Sequence, residues 1–367
     1  MSRPGLIVPP PCRTIPPRRL GPYRLTASIA TGRRTEVYLG AREDDRRPCL
    51  VRELSGAFDA KAFQREVNRA TAFQGGPGPL RVEEHQKVTA LIGPPIVGES
   101  LATVLDAVLS GAAPLPSLDL ALAVTMGVAA RLGKGGPRHI HGDLAPHHII
   151  IGYDGSISLI DPAGPEDALE RAKAPGRESY RSPEHVRAEG LSPASDVFVL
   201  GILLFELTTG TRLYGGPKLQ DIDAMIIEGG YPRPKNVIGD HYPIELQVLL
   251  RKLLRPQPAA RYFDGEAALE GLRRAGSGQS AERTQKLGEW LRAQFKDRYS
   301  AWAKVLREHG IELPEADIAV DRTIGISDIG CWELDVGSWM FRRPLGQRQL
   351  HNSTGMWRLR FLGAGEF

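Results

Sequence analysis

Cysteine is nearly missing from this chain of 367 residues; only Cys12, Cys49 and Cys331 occur. Three scattered thiols exclude a disulfide framework, offer no paired metal-ligand spacing, and suit a reducing compartment. Long apolar runs are missing as well. The longest, Val197–Leu207, is far short of the roughly 20 residues that span a bilayer, and Glu206 interrupts it. It reads as a buried helix, and no membrane partner is expected. The apolar stretch 5–8 is too short for a signal peptide despite nearby arginines, so a cytoplasmic location is the expectation. A dominant charge is absent too: 47 basic and 43 acidic residues leave a formal +4. That balance argues against nucleic acid as a partner, because such binders concentrate their excess on one face. Tryptophan does not occur before Trp290.

What is present suffices for a sizeable core: 41% hydrophobic and 25% charged residues fit one large domain with an appendage. Seven prolines crowd residues 1–22, which predicts a disordered or extended leader. Residues 23–100 carry short alternating patterns, as in Glu36-Val37-Tyr38-Leu39 and Cys49-Leu50-Val51, with one helix over Ala60–Phe73. Across 101–274 the period changes to 3.6, giving helices at Leu118–Leu132, Asp196–Thr209 and Ile244–Leu254. Strands first and helices after them make an α+β architecture. A small polar linker and one helix from Glu282 to Glu308 occupy 275–310. The last part, 311–367, holds Trp332, Trp339 and Trp357 and two alternating patterns, at 332–336 and 357–361. Segments this aromatic can offset their ordering entropy, so a packed β extension is predicted there.

The chemistry concentrates in His139-Ile140-His141-Gly142-Asp143-Leu144-Ala145-Pro146-His147-His148, followed by Gly152-Tyr153-Asp154-Gly155 and Ile160-Asp161-Pro162-Ala163. In order and spacing this resembles the catalytic loop, hairpin and metal-binding Asp motif of eukaryotic-like (bacterial, myxobacterial-type) Ser/Thr protein kinases. Ser182-Pro183-Glu184, Asp196 and Arg261 extend the likeness into the end of the activation segment and its buried ion pair. Upstream, Ala30 to Tyr38 aligns with the Gly-rich loop, Arg52 with the phosphate-pairing Lys, and Glu66 with that Lys's helix partner. The resemblance implies a two-lobed protein-kinase-like fold over about 23–272, with a β-rich N-lobe and a helical C-lobe. It implies ATP and Mg²⁺ as cofactors, Asp143 as base and Asp161 on the metal. Nucleotide contacts would come from Gly32, Val37, Arg52 and Glu66, while Glu184, Asp196 and Arg261 would be structural.

Several positions depart from that pattern. Ala30 and Thr35 replace two loop glycines that let backbone approach phosphate. Arg52 stands for Lys, keeping charge but not the compact ammonium. Gly142 stands for the Arg that reads a phosphorylated segment, Ala145 for the Lys that steadies the phosphoryl group, and His148 for the Mg²⁺-holding Asn. An imidazole is a poor exchange where a hard cation wants oxygen. Pro162 and Ala163 replace the Phe and Gly after the metal Asp, with Pro162 biasing Asp161 toward extended backbone, and Arg177 replaces a Thr that contacts the catalytic Asp. The expected function is therefore a catalytically impaired pseudokinase with a protein partner, a kinase or a signalling assembly, and with ATP and Mg²⁺ weak or absent. The alternatives are an atypical active Ser/Thr kinase and, less well supported by Glu184, Asp196 and Arg261, a small-molecule phosphotransferase. The four histidines at 139, 141, 147 and 148 suggest a metal cluster, but the family places His at 141 and often at 147. Arg342, Arg343, Arg348, Arg358 and Arg360 read as a solvated face.

Overall fold

A computed structural model describes residues 13–307, except 32–34, 55–59, 79, 87, 137–138, 175, 217, 240–241 and 277–279. Gly32 and the β extension expected across 311–367, with its three tryptophans, lie outside the described residues.

Eight of the residues assigned to the leader form a strand. β1 (Arg13–Leu20) pairs antiparallel with β2 (Tyr23–Thr31), with Arg18 opposite Leu25 and Leu20 opposite Tyr23. Pro16 and Pro17 fall in the register shift between Thr14 and Arg18, on a sheet edge where a missing N–H breaks no ladder. Leu20 is buried, and Arg18 pairs with Glu53 while lying over the Tyr38 ring, 5.0 Å from its centroid. The expected leader thus ends before residue 13, because an edge strand tolerates the prolines that argue against a central one.

β3 (Thr35–Arg42), β4 (Pro48–Leu54), β5 (Arg81–His85) and β6 (Val88–Gly93) complete a six-stranded antiparallel sheet in the order β1-β2-β3-β4-β6-β5. Helix α1 (Ala60–Ala72) interrupts it between β4 and β5. Leu20, Tyr23, Leu25, Tyr38, Val51 and Ile92 form the small lobe's core. After β6 the chain passes through residues 94–97 into β7 (Gly98–Ser100), where a second, three-stranded sheet begins.

The second lobe is helical. Ser100 caps α2 (Leu101–Leu109), its hydroxyl accepting from the Thr103 N–H at 3.1 Å, and Ser117 caps α3 (Leu118–Gly133) likewise. β8 (Ile149–Gly152) and β9 (Ile157–Leu159) complete the small sheet, and α4 (Pro165–Arg171) follows. α5 (Pro183–Arg187) starts with Pro183 behind a Ser182–His185 capping box. α6 (Pro193–Thr209) is buried almost throughout, which is why its apolar run shows no polar face. α7 (Leu219–Glu228) packs on α5, while α8 (Pro234–Ile238), α9 (Ile244–Leu253) and α10 (Gly265–Ala275) pack against α6.

The single helix expected after the linker is two: α11 (Ser280–Gln294) and α12 (Lys296–Arg307), meeting at Phe295. No Pro or Gly breaks it. The break lets α11 pack on α3 while α12 sets Tyr299 against Tyr153, with Leu287, Leu291, Trp302 and Leu306 all in the same core. α12 thereby reaches the inter-lobe connection. Arg298 pairs with buried Glu99 at 2.7 Å, Tyr153 donates to Glu99 at 2.5 Å, and Tyr299 meets the Tyr153 ring edge-on at 4.8 Å.

Candidate active site

Two elements fix the loop between α3 and β8. Asp196, in the first turn of α6, accepts hydrogen bonds from the His141 N–H at 2.7 Å and the Gly142 N–H at 3.0 Å. His185 of α5 donates from Nε2 to the Gly142 carbonyl at 3.0 Å. Gly142 has φ +74°, and a Cβ there would lie 2.7 Å from the Ala163 carbonyl oxygen, so only glycine fits. His141 donates from Nε2 to the Ile160 carbonyl at 2.9 Å and accepts the Asp143 N–H on Nδ1 at 3.3 Å. Those partners assign one neutral tautomer, and burial pushes its pKa down to about 4. Phe73, at the end of α1, stacks on His139 at 4.6 Å and meets His141 edge-on at 5.3 Å. These two histidines therefore pack. Burial also pushes Asp196 up to about 7, its two backbone donors notwithstanding.

Asp143 and Asp161 are both held by arginines. Arg177 reaches the Asp143 carboxylate from Nη2 at 3.2 Å, and Arg171, the last residue of α4, does so from Nη1 at 3.4 Å. Arg171 also donates to the Asp161 carbonyl at 3.1 Å, while Arg52 of β4 forms an ion pair with the Asp161 carboxylate. Asp143 is 7% exposed, and burial raises its pKa to about 6 against the pull of both guanidiniums. His148 donates from Nδ1 to the Asp143 carbonyl at 2.7 Å, leaving Nε2 to accept Arg177 Nη2 at 3.1 Å. Desolvation holds His148 well below the ordinary histidine range, so it stays a neutral acceptor for Arg177. The cavity left beside Asp143, lined by Leu144, Ala145, Arg177, Tyr180 and Arg181, is about 10 Å³, room for about one water.

Sequence reasoning places Arg177 near the catalytic Asp but not its grip on both Asp143 and His148. Arg171 it misses altogether, since nothing in an isolated Arg at a helix end says which carboxylate it will reach. Asp161 also differs from expectation. Its φ is +57°, the left-handed region rather than the extended backbone that Pro162 favours. The Arg52 pair and the Arg171 bond hold it in that strained state. Arg69 of α1 pairs with Asp167 of α4, tying the small lobe's helix to the segment that carries these arginines.

Among the other predicted residues, Val37 lies directly between Ala30 and Arg52 across the β2-β3-β4 ladder. Thr35 starts β3, and Ala145, Pro162 and Ala163 are buried beside the loop. Helix α1 carries Glu66, whose side chain lies outside the described residues. Glu184 and Arg261 are brought together as expected. Their two parallel bonds measure 2.6 and 2.9 Å, with Ser195 donating to Glu184 and the Ala194 and Pro256 carbonyls accepting from Arg261. Such a fully bonded buried pair costs roughly 3–5 kcal/mol to break from one side.

A family profile described as "Protein kinase domain" matches residues 136–268, the stretch containing this loop, Asp161, Glu184, Asp196 and Arg261. That stretch is thus a protein kinase domain, and the chain around it is similar to bacterial eukaryotic-like protein kinases. The serine/threonine-protein kinase PknL of Mycobacterium tuberculosis is similar, 28% identical over 268 residues, covering 67% of this chain and 63% of that protein. So is the tyrosine-protein kinase MasK of Myxococcus xanthus, 24% identical over 312 residues, covering 78% and 48%. Human ribosomal protein S6 kinase alpha-1 matches over 139 residues at 29% identity, 37% of this chain and 18% of its own. The chain spans less than two thirds of the length of each of those relatives. No helix among the described residues is long and apolar enough to cross a membrane.

Proposed function

We propose that this kinase-like chain is a catalytically impaired pseudokinase, acting in the cytoplasm as a scaffold or allosteric partner of another kinase or signalling assembly. The observation that carries this reading is the pair of arginines from its own α4–α5 segment on Asp143. A base must be reachable by the substrate hydroxyl, and this carboxylate is enclosed and ion-paired.

Kinase domains in general use ATP with Mg²⁺, and the residues here fit that pair poorly. Mg²⁺ takes oxygen donors in near-octahedral geometry. The donors at the two metal positions are Asp161, committed to Arg52, and the His148 imidazole, whose Nε2 already accepts Arg177. Weak or absent binding of ATP and Mg²⁺ follows. The alternative, an atypical active Ser/Thr kinase, is favoured by one observation: Asp143, Asp161 and Arg52 still converge on one site through Arg171.

One experiment separates them. Thermal melts with and without millimolar Mg²⁺-ATP should coincide, since a ligand shifts the midpoint only when its concentration exceeds its Kd. Labelled ATP should give no transfer to the chain or to a generic acceptor above the Asp143→Asn background. A metal-dependent shift of several degrees, with transfer lost in Asp143→Asn, would establish the active kinase instead.

A further inference from the structure

A second concave site lies in the helical lobe, sharing no lining residue with the Asp143 cavity. It is a groove of about 470 Å³ formed by the chain after α7 together with α8 and α9, lined by Tyr231, Arg233, Lys235, Ile244, Gln247 and Arg251. That volume falls in the range of sites that hold a ligand or a short stretch of peptide.

Its charge is one-sided. Arg233, Lys235 and Arg251 are exposed and make no ion pair among the described residues. Arg255, one turn beyond Arg251, is exposed and unpaired in the same sense, and lies within electrostatic reach of Tyr231, as do Arg233 and Arg251. Some surface cations elsewhere are paired, Arg19 with Glu43, Arg42 with Asp44, Lys173 with Glu170 and Arg274 with Glu270, whereas no acidic side chain lines this groove. Three cations on the groove wall with Arg255 nearby give it a positive local field that favours an anionic ligand.

Beside this rim the groove has apolar footing. α9 turns Leu246, Leu249, Leu250 and Leu253 into the core, as an amphipathic helix should. Yet Ile244 is 62% exposed and Val248, one turn on, 57% exposed. β-branched residues at i and i+4 on a solvent face add nothing to helix propensity. Ile244 lines the groove directly and Tyr231, half-buried, offers a ring with a polar tip.

We propose that this groove docks an acidic peptide segment of a partner protein, carboxylates on Arg233, Lys235 and Arg251 and an apolar side chain against Ile244 and Val248. The groove's volume and its apolar footing favour a peptide over a simple anion. The proposal deepens the scaffold reading by supplying it with a surface, but its test measures binding, not phosphoryl transfer, so the two fail separately.

The full chain would be titrated against a fluorescein-labelled dodecapeptide of alternating glutamate and leucine, read by anisotropy. Expected is saturable binding that weakens as salt rises. A lysine–leucine peptide should not bind. Arg233→Gln with Arg251→Gln should weaken binding about tenfold, two rim ion pairs' worth, and Ile244→Asp should weaken it too. Arg24→Gln with Arg187→Gln, equal in charge and remote from the groove, should bind like wild type. Thermal melts confirm that each variant is folded. Equal binding of the lysine–leucine peptide, or undiminished binding by the Arg233/Arg251 variant, overturns the proposal. So does an all-glutamate peptide or inorganic polyphosphate binding as tightly as the glutamate–leucine peptide, which would mark a plain anion site.

Discussion

The residues around Asp143 work against each other, and pH exposes the balance. Burial raises the Asp143 carboxyl from its ordinary value of 3.8 to about 6, while Arg177 and Arg171 favour its charged form. A folded-state pKa above the unfolded one means the folded state holds its proton longer. Stability from this group is full below pH 3.8 and is lost as pH rises through about 6. Arg177 limits that loss only where Asp143 is ionised. Arg177→Ala should therefore cost about 1–3 kcal/mol at pH 8, the scale of a buried charged group losing a partner, and clearly less at pH 5. Urea midpoints of wild type and variant at both pH values measure the difference. An equal loss at both would mean that Arg177 acts by packing alone. His148 shows why such roles resist reading from sequence: its substitution for Asn is visible, but its use as an acceptor for Arg177 depends on where the α4–α5 segment lies.

At the level of elements, α11 and α12 are more than an appendage. α11 packs on α3, and Gly155 sits so close that a Cβ would lie 1.8 Å from the Thr284 carbonyl oxygen. α12 brings Arg298 to Glu99 in β7, directly after the inter-lobe connection. A buried carboxylate in that position, bonded to Tyr153 and paired with Arg298, holds the connection only while α12 stays docked. Trp302, 2% exposed, anchors α12 in the core. Trp302→Ala should cost about 3–5 kcal/mol, and hydrogen exchange at the amides of Gly98–Ser100 should speed up with it. A drop in stability without faster exchange there would separate core packing from bracing of the connection. The expected 282–308 helix shows the limit of periodicity. Apolar residues at 287 and 291 and at 299, 302 and 306 fit one continuous helix, yet the chain breaks at Phe295, with α11 packed on α3 and α12 on Tyr153.

For the whole molecule, the two lobes depend on these helices unequally. The helical lobe buries Leu122, Met126, Leu287 and Leu291 in one continuous cluster, whereas the small lobe keeps a core of its own around Leu25, Tyr38 and Val51. A chain ended at Gly276 would expose the apolar face of α3 that α11 covers. Such a patch promotes association. The shortened chain should melt several degrees lower and elute as aggregate on size exclusion. A monomer with an unchanged midpoint would show that α11 and α12 add nothing to the lobe.

The sequence by itself determined the two-lobed order of strands and helices, the loop around Asp143, and the Glu184–Arg261 pair. The order of strands and helices rests on local period, and the loop and the ion pair on the family resemblance that their motif residues carry. The buried α6 was legible because an apolar run interrupted by Glu206 is too short to span a membrane and too long for a surface. Tertiary structure alone decided the rest. An edge position turned the proline-rich residues 13–20 into a strand, and packing bent one helix into α11 and α12. Above all, Arg52, Arg171 and Arg177 converge on Asp143 and Asp161 from β4, α4 and the turn before α5. Sequence separation carries no information about such convergence, because a long charged side chain takes whichever buried carboxylate the fold brings within reach.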